Sequence, residues 1–172
     1  MEKTIDPAHE IGENVTITER SQLLSITPEQ AKKIKSLRIE NQVIDSGIRA
    51  FLGSLGGLDS LCFYRCEFHC IYALNDVYGC SVLGLIDCSL TSDDATQLLS
   101  RISAWSLLKT LDLSHNMIGN DADIFFEWWK HEIWGVVLVE ELILADNHFP
   151  KDSALLSDFK DECFARGSRC VF

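Results

Sequence analysis

Basic residues are scarce in this chain: Lys and Arg number 15 of 172 residues against 26 Asp and Glu, giving a formal net charge of −11. Nucleic-acid backbones and anionic membranes are polyanions, so this surplus makes both poor partners for the surface as a whole. No run approaches the ~20 apolar residues of a membrane helix. The segment 1–6 also lacks the apolar core of a secretory signal. We therefore expect a cytoplasmic protein with no nucleic-acid or membrane partner.

Catalytic motifs are missing as well. The sequence shows no Ser-His-Asp, Cys-His or paired-carboxylate arrangement of the kinds that carry nucleophilic or acid–base catalysis. The glycines within Gly53–Gly57 are not followed by the lysine of a phosphate-binding loop. We therefore predict that the protein is not an enzyme and has no cofactor.

What the chain does contain is one recurring apolar spacing. The segment Leu108–Ile118 has the pattern L-x-x-L-x-L-x-x-N-x-I, the strand-and-turn signature of a leucine-rich repeat. The same spacing begins again at Ile34, Leu58, Cys80 and Val139. Five matches in one register predict an α/β fold with about five parallel strands, near residues 37–39, 61–63, 83–85, 111–113 and 142–144. They would form a leucine-rich-repeat solenoid, a short horseshoe with a partly helical convex side.

Each position of the repeat has a residue type that suits its place. Positions one, four and six are apolar because the short strand turns them into the interior. Position nine needs a small inward side chain that can hydrogen-bond the backbone of the following turn. It is Asn at Asn116 and Asn147 and Cys at Cys66 and Cys88. We expect all four of these side chains to be interior.

The segments outside the repeats are predicted to be caps and connections. The predicted division is an N-terminal extension and cap over 1–33, five repeats over 34–149, and a C-terminal cap over 150–172, since a solenoid must cover both open ends. Residues 14–18 alternate like a strand, and Thr27 followed by Pro28 favours a helix start. Helical apolar spacing is found at Ile48, Phe51, Leu52 and Leu55, at Leu98, Leu99 and Ile102, and at Leu155, Leu156, Phe159, Cys163 and Phe164.

With helical convex segments and longer units near 28 residues, the pattern resembles the ribonuclease-inhibitor-like subclass of leucine-rich repeats. That subclass also occurs in Ran GTPase-activating proteins, tropomodulins and the sensor ends of nucleotide-binding immune receptors. The resemblance covers about residues 34–149 and implies a fold, whereas the functions of the subclass are diverse. No arginine matches the one expected early in a Ran-activating protein, so that activity is not carried over.

The cysteines have two competing interpretations. There are seven, an odd number, and in a chain without an export signal we expect reduced thiols. The residue types of a zinc site occur at Cys62, Cys66, His69, Cys70 and Cys80, but the spacing is not a common zinc pattern. Interior repeat positions already account for three of the cysteines, so we predict no metal site.

We predict a non-enzymatic protein-interaction module whose concave sheet face binds one protein partner, because side chains between the buried positions project there. An acidic chain favours a partner with a basic surface. The residues predicted to contact this partner are Arg38, Tyr64, Arg65, Ile86, Asp87, Asp112, His115 and Ile143.

A second interaction surface is suggested by the aromatic run Ile124–Trp134, inside the longest repeat interval. On a helix, Trp128 and Trp129 lie 100° apart and cannot both point fully inward. One interpretation is an enlarged packing layer. The alternative is an exposed edge at Trp128 and Trp134 that seats the chain, through residues 119–138, as a small structural subunit of a larger assembly. A regulator of a GTPase or another enzyme is a third interpretation.

Overall fold

The fold is an α/β architecture with parallel strands. The computed structural model describes residues 12–69, 72, 74, 75, 77, 79–100, 106–135, 139–150 and 153–172. Within them, the strands in chain order are β1 Asn14–Ile17, β2 Ser36–Glu40, β3 Val43–Ile44, β4 Ser60–Tyr64, β5 Glu67–Phe68, β6 Val82–Ile86, β7 Thr110–Asp112, β8 Glu141–Ile143 and β9 Arg169–Val171. Seven of them form one all-parallel sheet in the order β1-β2-β4-β6-β7-β8-β9, while β3 and β5 pair in a second, two-stranded parallel sheet.

Helices lie between several of the strands. Those in the described residues are α1 Arg20–Ser25, α2 Pro28–Ala31, α3 Ser46–Ser54, α4 Ser92–Leu99, α5 Ala122–Trp128 and α6 Ala154–Ala165. A 3₁₀ turn at Ile118–Asp121 precedes α5, and a π-helical turn at Trp129–Ile133 follows it. None of these helices combines the length and apolar character needed to span a bilayer.

Side-chain caps explain where several helices begin. The Thr27 hydroxyl accepts from the backbone of Gln30 at α2, and Thr91 accepts from Asp94 at α4. Each cap satisfies a backbone N–H that the first helical turn leaves without a partner. The predicted helix start at Thr27-Pro28 is confirmed, and so are the helices predicted from the apolar spacing at Leu98 and Leu99 and over 155–164. Ile102 lies outside the described residues.

The repeat spacing sets the register of the sheet. Position four of each repeat pairs with position four of the next, in the series Leu37, Leu61, Leu83, Leu111 and Leu142. All five are buried. The prediction that these five segments form parallel strands in one sheet is therefore confirmed.

The predicted number of strands is too low, because the main sheet has seven. At one edge β1 pairs with β2, where the sequence predicted a strand but did not count it in the sheet. At the other edge β9 pairs with β8, and this strand was missed. The Arg169 N–H donates to the Glu140 carbonyl over 2.8 Å, and Leu144 donates to Val171 over 2.7 Å. These bonds satisfy backbone groups of the last repeat that would otherwise face an open edge.

Position nine carries a hydrogen-bonding ladder through the interior. In four successive repeats its side chain donates to the position-six carbonyl of the preceding repeat. The four bonds run from Cys66 to Ile39 over 3.3 Å, Cys88 to Phe63 over 3.7 Å, Asn116 to Leu85 over 2.7 Å and Asn147 to Leu113 over 2.8 Å. Cysteine and asparagine thus fill equivalent places, and the expectation that all four side chains are interior is confirmed.

The aromatic run after β7 contributes several large side chains to the core. Phe125, Phe126, Trp129 and Ile133 are all buried. Phe126 stacks on Phe159 of α6 with ring centres 4.2 Å apart, which joins this layer to the C-terminal helix. The π-helical turn Trp129–Ile133 continues this layer beyond α5, with Trp129 and Ile133 as its buried residues.

Candidate interaction face

One face of the seven-stranded sheet packs into the core, and the opposite face carries the alternate side chains. We call it the opposite face and define it by two rows of strand residues. Across neighbouring strands, register aligns the first row as Arg38, Cys62, Gly84, Asp112 and Ile143. A second row, two residues further along each strand, consists of Glu40, Tyr64 and Ile86.

Tyr64 is the centre of a cation–aromatic cluster on this face. The Arg38 guanidinium carbon lies 4.7 Å from the centre of the Tyr64 ring, and that of Arg65 lies 4.9 Å from it. Such contacts hold a ring and its cations in a defined arrangement, at about 0.5–1 kcal/mol each where exposed. The structure therefore brings these three sequence-predicted site residues together.

Carboxylates fix both arginines in place. The Arg38 Nε donates to Glu40, and the Arg65 Nε donates to Asp87 over 2.7 Å. The hydrogen bond that Arg38 donates to Glu40 is the main reason that the pKa of Arg38 is raised, and the bond that Arg65 donates to Asp87 acts in the same way on the pKa of Arg65. With both guanidinium charges paired, the cluster presents a pre-organised aromatic ring with little net charge of its own.

The remaining predicted site residues lie further along the sheet. Asp112 and Ile143 are register partners on adjacent strands. The Asp112 carboxylate accepts from the Ser114 backbone over 2.9 Å, and His115 Nδ1 lies 3.5 Å from an Asp146 carboxylate oxygen. Asp112 on the opposite face and Asp146 in the turn after β8 make this part of the molecule acidic.

A repeated left-handed turn lies at the end of the strands. Position eight of every repeat has a positive φ, at Asn41, Arg65, Asp87, His115 and Asp146, with values from 52° to 58°. Asn, Asp and His are the non-glycine residues that adopt this conformation most readily. Backbone geometry therefore explains the residue types at four of the five positions. The presence of Asn, Asp or His at position eight is a sequence signal for this turn that the sequence analysis did not use. Arg65 is the exception.

Gly84 is a further residue of the opposite face that sequence reasoning missed. A Cβ atom at this position would lie 3.1 Å from the Cys62 sulfur and 3.4 Å from the Ile86 methyl group. Glycine therefore lets Cys62 and Ile86 approach each other across the central strand. Burial raises the pKa of the Cys62 thiol, which also accepts a 3.4 Å contact from Arg38.

Trp128 and Trp134 are half-buried and packed against the core. The Trp134 ring stacks on Phe159 with centres 5.4 Å apart, and the Arg166 guanidinium carbon lies 4.4 Å from the Trp134 ring centre. Its indole Nε1 is buried and has no hydrogen-bond partner among the described residues. Trp128 contacts the ring of Phe125 at 6.0 Å. Much of both indole surfaces is thus occupied by the chain itself.

The cysteine and histidine residues of the alternative zinc site are differently placed. Cys80 is buried and donates to the Val82 carbonyl over 2.8 Å, while His69 is exposed and paired with Glu67 at 2.6 Å. Among the residues that the structure describes, no group of three or more His, Cys, Asp or Glu could hold a metal ion. Cys70 lies outside them.

Comparison of the chain with protein-family models finds no match, and comparison with curated proteins finds no significant one.

Proposed function

We propose that this chain is a short leucine-rich-repeat solenoid resembling the ribonuclease-inhibitor-like subclass, and that it is a non-enzymatic module binding a protein through the concave, opposite face of its sheet. The fold part of this proposal is supported by the five position-four pairings and by the position-nine ladder. In such a stack, each repeat depends on its neighbours for its core.

The observation that carries the binding proposal is the arrangement of Tyr64 between Arg38 and Arg65. Tyrosine and arginine are enriched in the central contacts of protein interfaces because they combine apolar area with directed hydrogen bonding. Holding the ring in advance also lowers the entropy lost on binding. A sheet face that only contacts water does not require an aromatic ring held between two guanidinium groups.

The backbone of Arg65 supports the same conclusion. Arg65 has φ 52°, whereas residues that tolerate this conformation better occupy position eight in the other repeats. Retaining an unfavourable residue at a strained position is a sign of function. The strain places the guanidinium against both Tyr64 and Asp87.

The charge of the opposite face indicates the chemistry of the partner. Glu40 and Asp87 neutralise the two arginines of the cluster. Asp112 has no cation within salt-bridge distance in the part of the chain that the structure describes, and Asp146 approaches only His115. A partner with a basic patch facing the β7–β8 half of the sheet complements this surface.

The test compares variants that separate binding from folding. Arg65→Asn keeps a residue that tolerates the left-handed backbone and removes the guanidinium. We expect its melting temperature to equal or exceed that of the wild type, with reduced capture of the partner in a pull-down quantified by mass spectrometry. Tyr64→Ala combined with Ile143→Asp should reduce capture further without changing the circular dichroism spectrum.

Leu24→Ala serves as the matched control, because Leu24 is 83% exposed on α1, at the N-terminal end of the chain. It should capture the partner as the wild type does. Full capture by the Tyr64→Ala and Ile143→Asp double variant, together with loss of capture by Trp128→Ala, would instead locate the interface on residues 119–138. The assembly-subunit interpretation would then replace this one.

A further inference from the structure

β9 is the last strand of the main sheet, and no strand lies beyond it in the part of the chain that the structure describes. We call the side of β9 that faces away from β8 the outer edge. Towards β8, the Arg169 N–H donates to the Glu140 carbonyl, and the Val171 carbonyl accepts from the Leu144 N–H. Successive residues of a strand direct their backbone groups to opposite sides. The N–H and carbonyl of Cys170 therefore face the outer edge.

Two surface cavities lie beside the outer edge. Cys170 lines the first, of about 430 Å³, and Phe172 lines the second, of about 460 Å³. These two residues are two positions apart on an extended chain, so their side chains share a face, and both pack against the core. A strand added along the outer edge repeats this spacing of about 6.6 Å. Two of its side chains, also two positions apart, would then face the two cavities.

The first cavity favours a carboxylate. Its lining is Lys160, Phe164, Gly167, Ser168, Arg169 and Cys170. Arg169 is already paired with Glu141 at 3.1 Å. Lys160 is exposed and has no carboxylate within salt-bridge distance among the described residues, and its Nζ lies 4.6 Å from the centre of the Phe172 ring. An ammonium group held beside a cavity without a counter-charge attracts an acidic side chain.

The local charge of the C-terminal cap also permits an acidic peptide. Residues 153–172 contain three basic and three acidic residues, so this segment does not share in the net charge of −11 that the chain carries as a whole. Repulsion between this segment and one added carboxylate is therefore small, and the unpaired Lys160 decides the sign of the interaction.

The second cavity favours an apolar side chain. Phe149, Leu156 and Phe172 form its apolar wall. The rings of Phe149 and Phe172 meet edge to face with centres 5.5 Å apart, so this wall is packed in advance. Asp146 also lines the cavity and would repel a second carboxylate. An aromatic or large aliphatic side chain placed here removes apolar surface from water on both sides of the contact.

We propose that the outer edge of β9 binds an extended peptide, parallel to β9, in which an acidic residue is followed two positions later by an aromatic or large aliphatic one. The acidic side chain faces Lys160 in the first cavity, and the apolar side chain faces the second. The peptide residue between them donates its N–H to the Cys170 carbonyl, and the residue before the acidic one accepts from the Cys170 N–H. A parallel strand continues the pairing of β8 with β9.

The probe is the synthetic peptide acetyl-Thr-Thr-Glu-Thr-Phe-Thr-Thr-amide, titrated into the full-length chain by isothermal titration calorimetry. We expect saturable binding of one peptide per chain. Methylating the backbone nitrogen of the central Thr removes the donor to the Cys170 carbonyl, and should weaken binding about tenfold. Methylating the nitrogen of the peptide's Glu is the matched control, because in a parallel pair that N–H points away from β9. This control peptide should bind as the unmodified probe does.

A charge reversal in the protein tests the side-chain contact. Lys160→Glu should weaken binding of the probe about tenfold, because it replaces attraction by repulsion at the first cavity. Lys33→Glu makes the same change at an exposed position after α2 and should bind as the wild type does. Melting curves followed by circular dichroism show that both variants fold.

Four results would overturn the proposal. The first is no saturable binding of the probe up to about 1 mM, the range of very weak complexes. The second is equal binding by the two methylated peptides, or a larger loss for the one methylated at Glu, which indicates antiparallel pairing. The third is wild-type affinity in Lys160→Glu. The fourth is sedimentation of the free chain as a dimer that Lys160→Glu dissociates, which would assign the outer edge to a second copy of the chain.

Discussion

Replacing Asn116 by leucine removes a group that serves five backbone atoms inside the repeat stack. The Asn116 carbonyl oxygen accepts from the Cys88 and Leu90 N–H groups, each over 3.0 Å. Its amide donates to Leu85 over 2.7 Å, to Leu113 over 2.8 Å and to Ser114 over 3.2 Å. Asn116 itself is 1% exposed, so water cannot take over these bonds.

The cost follows from the two donors left unpaired. A buried N–H without a partner costs about 1–3 kcal/mol, so two of them give about 2–6 kcal/mol. For a protein of this size, each kcal/mol lowers the melting temperature by about 2–4 °C. A middle value of about 4 kcal/mol is a large part of a typical free energy of unfolding. It predicts a decrease of about 8–16 °C in the melting temperature.

Two further variants show whether the position-nine bond itself is responsible. Asn116→Cys should be intermediate, because Cys66 and Cys88 already donate to the equivalent carbonyls in their own repeats. Asn120→Leu, at an exposed position four residues later, should change the free energy of unfolding by less than about 0.5 kcal/mol.

Thermal and urea unfolding followed by circular dichroism measures all three variants. The reasoning fails if Asn116→Leu melts within experimental error of the wild type. It also fails if Asn116→Cys is no more stable than Asn116→Leu, because then the polar bond is not what position nine supplies.

Three other predictions concern single sites. Gly119→Ala should unfold or melt far below the wild type, because its Cβ would clash with the backbone oxygen of Asn147 and would lie 2.6 Å from the Phe149 nitrogen. Gly135→Ala should melt like the wild type, since no atom of the described residues lies within 4 Å of the added Cβ. Hydrogen bonds from the Ile48 backbone and from Arg20 lower the pKa of Asp45 from its usual 3.8. The ionised Asp45 side chain therefore stabilises the folded protein above that pH, and this stabilisation is lost as the pH falls through the lower pKa of the folded state. The melting-temperature gap between the wild type and Asp45→Ala should therefore narrow in acid. Burial raises the pKa of Cys88 to about 12, so iodoacetamide at neutral pH should label it only after denaturation, as peptide mass spectrometry can show.

Part of the candidate site could be predicted from the sequence because strand alternation fixes which side chains share a face. The repeat register assigned Arg38, Tyr64, Ile86, Asp112 and Ile143 to one side of the sheet, and the pairing places them there. Register alone could not show that two guanidinium groups contact the Tyr64 ring. Nor could it show that the missing side chain of Gly84 leaves room for Cys62 and Ile86. The ring contacts and this close approach depend on rotamers and on the distances between strands.

By itself, the sequence determined the parallel strands and the interior position nine, because the L-x-x-L-x-L spacing combines strand alternation with a turn that repeats in every unit. Tertiary structure alone decided the C-terminal edge of the sheet. Arg169–Val171 has no repeat spacing, and it becomes a strand because the backbone of the last repeat supplies hydrogen-bonding partners. The same strand also depends on where the chain reverses, since α6 ends at Ala165 and Gly167, with a φ of 79°, lets the chain turn back onto β8.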